Sequence, residues 1–162
     1  MSEKVYKLSP VGQVESGPEG CMLKIAPKYR TALQGLGEFS HIHVLWWSHY
    51  LDTPEHRNVM EAEQPYRNAP GKLGIFATRS PLRPNPICVS TVSVIHVDVE
   101  NGLVIVPWID AEEGTPILDI KPYHPSADRV REVHMPEWCQ HWPRWLEDSA
   151  EFNWEAEFVN AR

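Results

Sequence analysis

Three prolines and two arginines lie within one short segment, R-S-P-L-R-P-N-P, residues 79–86. Proline fixes the backbone angle φ, has no N–H to donate, and disfavours the helical conformation in the residue before it. The segment is therefore predicted to be a stiff loop, neither a helix nor a central strand. Because this backbone has already lost much of its freedom, Arg79 and Arg83 hold a ligand at a reduced entropic cost. We predict that the loop binds an anion.

The charge balance limits the partners of the chain. Its 162 residues carry 15 Lys and Arg against 22 Asp and Glu, a net charge of −7. Such a surface repels nucleic acid as a whole, so any contact with RNA needs a local basic patch. In an acidic protein each arginine of the loop could instead pair with a surface carboxylate, and both interpretations stay open. The length predicts one domain over residues 1–162.

Targeting signals and cysteine usage both indicate a reducing compartment. No apolar stretch is long enough to span a bilayer, and the N-terminal M-S-E-K-V-Y-K lacks the hydrophobic region of a signal peptide. Three widely spaced cysteines without a C-x-x-C pair favour reduced thiols: Cys21, Cys88 and Cys139. We expect a cytoplasmic protein.

Alternation with a period of two outnumbers helical periodicity along the chain and predicts a mainly β fold. In F-S-H-I-H-V-L-W-W-S-H-Y-L, residues 39–51, four side chains are predicted on the core face: Ile42, Val44, Trp46 and Tyr50. The opposite face carries His41, His43, Trp47 and His49. Asn101-Gly102, between two alternating segments, predicts a hairpin with a type I′ turn.

Other segments predict departures from regular strands. The alternation in residues 87–99 changes phase, which predicts a bulge or a bend of the kind seen in barrel strands. Residues 52–71 are polar, without a clear period, and are interpreted as a long surface excursion. Near the C-terminus, over about 136–159, tryptophans at helical spacing after Pro136 predict a short core-packing helix, and the alternating tail from Phe152 to Phe158 predicts a strand.

Two more segments carry residues suited to chemistry. E-G-T-P-I-L-D-I-K-P-Y, residues 113–123, is predicted to place Asp119, Lys121 and Tyr123 on one side of a strand, with Leu118, Ile120 and Pro122 on the other. In the alternative interpretation, which the spacing favours, Asp119 and Lys121 are a structural ion pair. A spacing that could ligate zinc or nickel occurs in the histidine-rich strand, at His41, His43 and His49.

Three blocks of the sequence together resemble a known family. F-S-H-I-H-V-L, then G-I-F-A-T-R-S-P-L-R-P-N-P-I, then E-G-T-P-I-L-D-I-K-P-Y occur in the order found in the TsaA-like family, and the similarity runs over about residues 11–128. The resemblance implies a small β-barrel that dimerises and binds S-adenosylmethionine at loops near the dimer contact. It also implies methylation of the exocyclic nitrogen of threonylcarbamoyladenosine beside the tRNA anticodon.

The resemblance also implies roles for particular residues. By their position in the blocks, the cofactor pocket would be lined by His49, Tyr50, Arg79, Arg83, Glu113, Gly114 and Thr115. The residues that would accept the proton of the attacking nitrogen, or position its urea-like group, are Asp119, Lys121 and Tyr123. Two alternatives stay open: a methyltransferase acting on a small molecule, and a non-catalytic barrel that binds a metal or small ligand through His41, His43 and His49.

Overall fold

The computed structural model describes residues 4–18 and 20–160 and confirms a mainly β fold. The strands within those ranges are, in chain order, β1 Gly12–Gly17, β2 Gly20–Ile25, β3 His41–Trp47, β4 Glu61–Glu63, β5 Lys72–Gly74, β6 Ile87–Ser93, β7 His96–Asp98, β8 Leu103–Val106 and β9 Pro116–Pro122. Three α-helices of one turn each accompany them: α1 Pro54–Arg57, α2 Pro125–Asp128 and α3 Trp154–Glu157. Short 3-10 helices occupy Pro27–Leu33, Leu36–Glu38, His49–Leu51, Ile75–Ala77, Glu137–Cys139 and Glu147–Glu151.

The chain divides into two compact units. The first, here called the sheet unit, takes the chain up to Tyr50 and from Ile87 to Arg129. The second unit takes Leu51–Pro86 and the chain from Val130 onward. A single domain over residues 1–162 stays a prediction.

The sheet unit is built on one seven-stranded antiparallel sheet in the order β6-β3-β9-β1-β2-β8-β7. Strand β3 lies between β6 and β9 and pairs with β6 along its whole length, from His41 opposite Ser93 to Trp47 opposite Ile87. The alternation predicted for β3 is confirmed, because Ile42 and Val44 are fully buried and Trp46 is 9% exposed. Tyr50 is an exception, since the chain leaves the strand before it and its side chain is 67% exposed.

The buried face of the sheet forms a continuous hydrophobic core. Its members come from the longer strands, from the 3-10 helices beside them and from the loop between β8 and β9: Val14, Leu23, Ile25, Leu33, Leu36, Ile42, Val44, Trp46, Val92, Val104, Val106, Ile109 and Ile117. Burial of such side chains supplies most of the stabilisation of a sheet with one covered face.

The bend predicted in residues 87–99 is confirmed and joins the two edges of the sheet. Val94 and Ile95 separate β6 from β7, which are the edge strands on opposite sides. The N–H of Val94 donates to the carbonyl of Ser40 at 2.9 Å, and the N–H of Ile95 donates to the carbonyl of Ile105 at 2.8 Å. Successive residues therefore bond to opposite sides of the sheet, each next to an edge strand. Among the described residues β6 and β7 share no ladder, so closure into a barrel stays a prediction.

Strand β9 corrects one predicted face. The register with β3 shifts between Leu45 and Trp46, so that Asp119 lies opposite Leu45 whereas Ile117 lies opposite Trp46. This irregularity places an extra residue, Leu118, in β9 and reverses the alternation before it. Ile117 is consequently fully buried, and Leu118, predicted to share a face with Ile120, lines an open pocket instead.

The hairpin around Asn101-Gly102 is present, but its predicted turn type is wrong. Asp98 pairs with Leu103, which leaves four residues in the loop, and Gly102 has a φ of +71° whereas Asn101 does not have a positive φ. A type I′ turn requires positive φ at both central residues. The side chain of Asp98 bonds the N–H of Asn101 at 3.0 Å and its amide at 2.7 Å, which stabilises the longer loop.

The second unit contains the predicted surface excursion and shows that it carries regular structure. Helix α1 and a two-stranded hairpin of β4 and β5 lie within Leu51–Pro86. Thr53 caps α1, since its hydroxyl accepts the N–H of His56 at 3.2 Å. Elements this short carry too little periodicity to be read from the sequence.

The C-terminal tail is helical where a strand was predicted. Residues 154–157 form α3, whose start is capped by the side chain of Asn153 on the N–H of Ala156 at 3.1 Å. Trp154 and Phe158 then stack at i, i+4, with ring centroids 5.6 Å apart. The helix predicted after Pro136 is reduced to the 3-10 helix Glu137–Cys139, because Pro143 keeps the chain from continuing as a helix.

None of the helices in residues 4–18 and 20–160 has the length and apolar character needed to cross a bilayer.

The sheet core generates a test of the register. Val44→Ala, at a fully buried position of β3, is expected to lower the free energy of unfolding by about 2–3 kcal/mol, because it removes buried methyl groups and leaves a cavity. Val89→Ala is the matched control on β6, where the side chain is 43% exposed, and should cost less than about 1 kcal/mol. Urea denaturation followed by circular dichroism measures both, and equal losses would contradict the register.

Candidate functional site

The arginine-proline loop follows the 3-10 helix Ile75–Ala77 in the second unit. Thr78, 7% exposed, holds its entrance: its hydroxyl donates to the carbonyl of Ile75 at 2.8 Å and accepts the N–H of Ser80 at 3.2 Å. The hydroxyl of Ser80 in turn accepts the N–H of Leu82 at 3.2 Å. The entrance of the loop is therefore ordered by its own hydroxyl groups, in addition to the restriction that the prolines impose.

Arg83 lies beside an exposed aromatic ring. Its guanidinium carbon is 5.9 Å from the centroid of Phe76, whose side chain is 79% exposed. Cation–π contacts of this kind orient a guanidinium at modest energy on a surface. Arg83, itself half-buried, thus lies against a ring that is exposed to solvent.

Helix α1 also contacts the loop through Arg57. Its Nε donates to Oδ1 of Asp52 at 2.5 Å, and its Nη1 donates to the carbonyl of Pro84 at 3.3 Å. The hydrogen bond to Asp52 raises the pKa of Arg57, so the guanidinium stays charged. The sequence alone singled out neither Arg57 nor Asp52 as a functional residue.

The turn Glu113-Gly114-Thr115 is fastened to β1 of the sheet unit. Oε2 of Glu113 accepts the N–H of Ser16 at 2.6 Å and its hydroxyl at 2.7 Å. Gly114 has a φ of +76°, which a side chain would strain, and its N–H donates to the carbonyl of Val14 at 2.8 Å. Thr115 is only 2% exposed, so its side chain lies in the core and is not accessible at the surface of the turn.

His49, which is half-buried, and Tyr50, which is exposed, form an aromatic pair just after β3. Their ring centroids are 3.9 Å apart at an interplanar angle of 36°, and Tyr50 is 67% exposed. Both lie in the 3-10 helix His49–Leu51. Aromatic faces of this kind attract cations and stack on planar rings.

Asp119 and Lys121 form the ion pair given above as the structural alternative. Nζ of Lys121 lies 2.8 Å from Oδ2 of Asp119, and Oδ1 of Asp119 accepts the N–H of Ile120 at 3.0 Å. The hydrogen bond from Asp119 raises the pKa of Lys121, so the amine stays a cation and is a poor base. Of the three predicted catalytic residues, Tyr123 is the one outside this pair.

The sequence did not predict the cluster that surrounds His43. Nδ1 of His43 bonds the hydroxyl of Thr91 at 2.9 Å, and its Nε2 lies 3.2 Å from Oδ1 of Asp128. The ring of Tyr123 is 5.4 Å from that of His43 and 6.4 Å from that of His41, between centroids. Strand register gives the reason for Thr91, which pairs directly with His43, whereas Asp128 comes from α2 and no spacing rule indicates it.

The histidine-rich face shows no metal centre. In the described part of the chain, no group of three or more His, Cys, Asp or Glu side chains is placed to hold a metal ion. His43 uses both ring nitrogens within the protein, and Nδ1 of His41 bonds the hydroxyl of Ser40 at 2.9 Å. The spacing that suggested zinc or nickel does not bring His41, His43 and His49 together, because His49 lies beyond the end of β3.

An open pocket of about 270 Å³ lies in the sheet unit beside the Glu113 turn. It is lined by Tyr6, Leu8, Pro10, Trp47, Pro116 and Leu118. Its size is near the lower end of small-molecule sites, and its walls are largely apolar. Leu118 reaches it because of the irregularity in β9, which the alternation in the sequence concealed.

Over most of its length the chain that carries this sheet and loop is similar to tRNA-methyltransferase domains. The family model described as the tRNA-methyltransferase O N-terminal domain matches residues 9–129. The chain belongs to this family, which confirms the resemblance drawn from the three sequence blocks.

Several characterised or solved proteins are similar to the chain. A "probable S-adenosyl-L-methionine-binding protein" of Pyrococcus horikoshii is 37% identical over 133 residues, which cover 82% of this chain and 93% of that protein. A mouse protein named "tRNA (adenine(37)-N6)-methyltransferase" is 42% identical over 97 residues, 60% of this chain and 21% of the mouse protein. The crystal structure of TrmO from Pseudomonas aeruginosa superposes with a TM-score of 0.63 at 27% identity, over 84% of this chain. The chain spans 62% of the length of that TrmO.

The Asp128 contacts generate a pH prediction. The N–H of His124, and after it the hydrogen bond from His43, lower the pKa of Asp128 below its ordinary 3.8 in spite of some desolvation. A carboxyl whose pKa is lower in the folded state stabilises it above the unfolded value and loses that contribution as the pH falls through the folded value. Asp128→Asn should therefore be less stable than the wild type near neutral pH, with the difference shrinking below about pH 3.8.

Urea denaturation between pH 3 and pH 7 measures this difference. Asp110→Asn, at an exposed aspartate, is the control and should show no comparable trend. A stability difference between Asp128→Asn and wild type that stays constant over the whole pH range would contradict the role given to the carboxylate.

Proposed function

We propose that the protein is an S-adenosylmethionine-dependent methyltransferase that methylates the exocyclic nitrogen of threonylcarbamoyladenosine next to the tRNA anticodon. The observation that carries the proposal is the arginine-proline loop, with Arg83 placed against the ring of Phe76, in a chain of the tRNA-methyltransferase O family. Relatives named as S-adenosylmethionine-binding proteins and as tRNA adenine methyltransferases support the cofactor and the reaction class.

The side chains fit the chemistry of the cofactor. A carboxylate suits the planar guanidinium of Arg83, with Arg79 on the same loop for the carboxylate or for a tRNA phosphate. A sulfonium favours aromatic faces or oxygen atoms, which the His49 and Tyr50 pair and the Glu113-Gly114 turn offer in the sheet unit. These contributions, like that of Thr115, rest on the family blocks and stay predictions.

Bound S-adenosylmethionine supplies an electrophilic methyl group, which is transferred by in-line displacement. The protein's part is then to orient the acceptor and to exclude water, without a covalent intermediate. Tyr123 is the candidate to accept the proton of the attacking nitrogen or to position the urea-like group, since its phenol lies beside the His43 cluster. Asp119 and Lys121 remain candidates for positioning as a pair.

The finer architecture implied by the family belongs to the same proposal. A closed barrel is supported by the bend at Val94 and Ile95, where the chain passes from one sheet edge to the other. A homodimer and a cytoplasmic location are part of the proposal as well and stay predictions. Methylation of a smaller acceptor is the second candidate function, because a net charge of −7 gives little general attraction to RNA.

Transfer of a labelled methyl group to purified tRNA tests the proposed function. We expect incorporation into tRNA that carries threonylcarbamoyladenosine and none into the same tRNA transcribed without modifications. Tyr123→Phe should lower kcat roughly 100-fold, the usual range for general acid–base contributions, while affinity for S-adenosylmethionine is retained. Equal labelling of both tRNAs would contradict the acceptor, and full activity of Tyr123→Phe would contradict its role.

Arg83→Ala tests the cofactor contact. Loss of a charge-assisted hydrogen bond should weaken binding of S-adenosylmethionine roughly 10- to 100-fold, measured by calorimetric titration. The fold should persist, because a loop arginine contributes little to the core. Arg131→Ala, at an exposed arginine outside the family match, is the control and should bind as the wild type does. Unchanged affinity of Arg83→Ala would remove its role as a clamp.

A further inference from the structure

We infer that Arg57 is a positioning residue that holds the arginine-proline loop in its ligand-binding conformation, bridging Asp52 and the carbonyl of Pro84. The inference rests on the proposed function, because it concerns how that loop meets S-adenosylmethionine. Arg57 itself need not touch the ligand.

The first step is the geometry of the bridge. Arg57 ends helix α1, and Asp52 lies just before that helix. One guanidinium nitrogen, Nε, bonds the carboxylate at 2.5 Å, and another, Nη1, bonds the carbonyl of Pro84 at 3.3 Å. A planar guanidinium makes both bonds at once with fixed directions, so the position of α1 is transmitted to the loop. The Asp52 carboxylate keeps the guanidinium from rotating away.

The second step is that the carbonyl bound by Arg57 belongs to Pro84, the residue directly after Arg83. Proline restricts the residue before it to extended conformations, so Pro84 already limits the backbone of Arg83. The bond from Arg57 then fixes Pro84 itself in space. Pro84 therefore restrains Arg83 in two ways, through its own ring and through its bound carbonyl. Its side chain begins from a nearly fixed Cα and reaches the face of Phe76.

The third step is the source of the donor to the Pro84 carbonyl. Hydroxyl-to-backbone bonds order the entrance of the loop, at Thr78, Ser80 and Leu82. Pro84 and Pro86 have no N–H groups, so they cannot donate to a turn of their own. Arg57 supplies a donor to the Pro84 carbonyl from outside the loop.

A preorganised loop binds more tightly because less conformational entropy is lost on binding. Without the bridge, Arg83 has to be ordered by the ligand each time it binds. We expect Arg57→Ala to weaken S-adenosylmethionine binding by roughly 5- to 20-fold, the range for ordering a side chain and a short loop. Arg57→Lys should recover part of this loss, because an ammonium keeps the charge but cannot make both directed bonds.

Two measurements on the full chain separate the bridge from a general effect on stability. The first is the amide order parameter of Arg83 and Asn85 by NMR without ligand, expected to fall from about 0.8 to below about 0.7 in Arg57→Ala.

The second is a double-mutant cycle in calorimetric titrations with S-adenosylmethionine, using Arg57→Ala, Arg83→Ala and the double variant. If Arg57 acts through Arg83, the double variant binds no more than about twofold more weakly than Arg83→Ala alone.

Arg30→Ala is the matched control. Arg30 makes the same type of bond in the sheet unit, from Nη1 to the carbonyl of Glu100 at 2.9 Å. Its loss should increase motion in the loop around Glu100 and leave both the order of Arg83 and the affinity for S-adenosylmethionine as in the wild type.

The outcomes separate the inference from the proposed function. Unchanged order parameters in Arg57→Ala overturn the bridge, whatever happens to binding. The link between Arg57 and the ligand is overturned if Arg57→Ala makes the loop more mobile but leaves the affinity unchanged, while Arg83→Ala binds weakly. It is also overturned if the losses of affinity in the double variant are fully additive. If Arg83→Ala binds as tightly as the wild type, the proposed clamp fails, and the order parameters alone decide whether Arg57 positions the loop.

Discussion

A single bend, at Val94 and Ile95, carries the chain between the two edge strands of the sheet, β6 and β7. The N–H of Val94 bonds to Ser40, just before β3, and the N–H of Ile95 bonds to Ile105 in β8, on the opposite side of the sheet. Two successive residues therefore continue the pairing of both sides. The strands that pair on either side of the bend carry fully buried core side chains, Ile42 on β3 and Val104 on β8.

The candidate functional groups are held by short, directed contacts and not by burial. The Glu113 carboxylate ties its turn to Ser16, the Asp119 carboxylate holds Lys121, and Thr78 orders the entrance of the arginine loop. Such restraints fix where a side chain begins while its functional end stays in solvent. A protein with a net negative charge can in this way keep a few cations in set positions for an anionic ligand.

The sequence predicted those features whose cause is local. The faces of β3 follow from alternation, the stiffness of the loop follows from Pro81, Pro84 and Pro86, and the Asp119 and Lys121 pair follows from their spacing. Features that depend on contacts distant in sequence were missed. Asp128 reaches His43 only because α2 folds back onto the sheet, and Arg57 reaches Pro84 only within the folded second unit. The C-terminal tail was misread because a cap from Asn153 outweighs its alternation.

The ladder between β3 and β6 ends with Trp47 opposite Ile87, so the chain that leaves the sheet after one strand returns beside its point of departure. In topological terms, the arginine loop and its helix are an insertion within a hairpin. The entropic cost of closing such a loop grows only with the logarithm of its length, about 0.6 kcal/mol for each doubling. Insertions of different size are therefore compatible with the same sheet at a small difference in entropic cost.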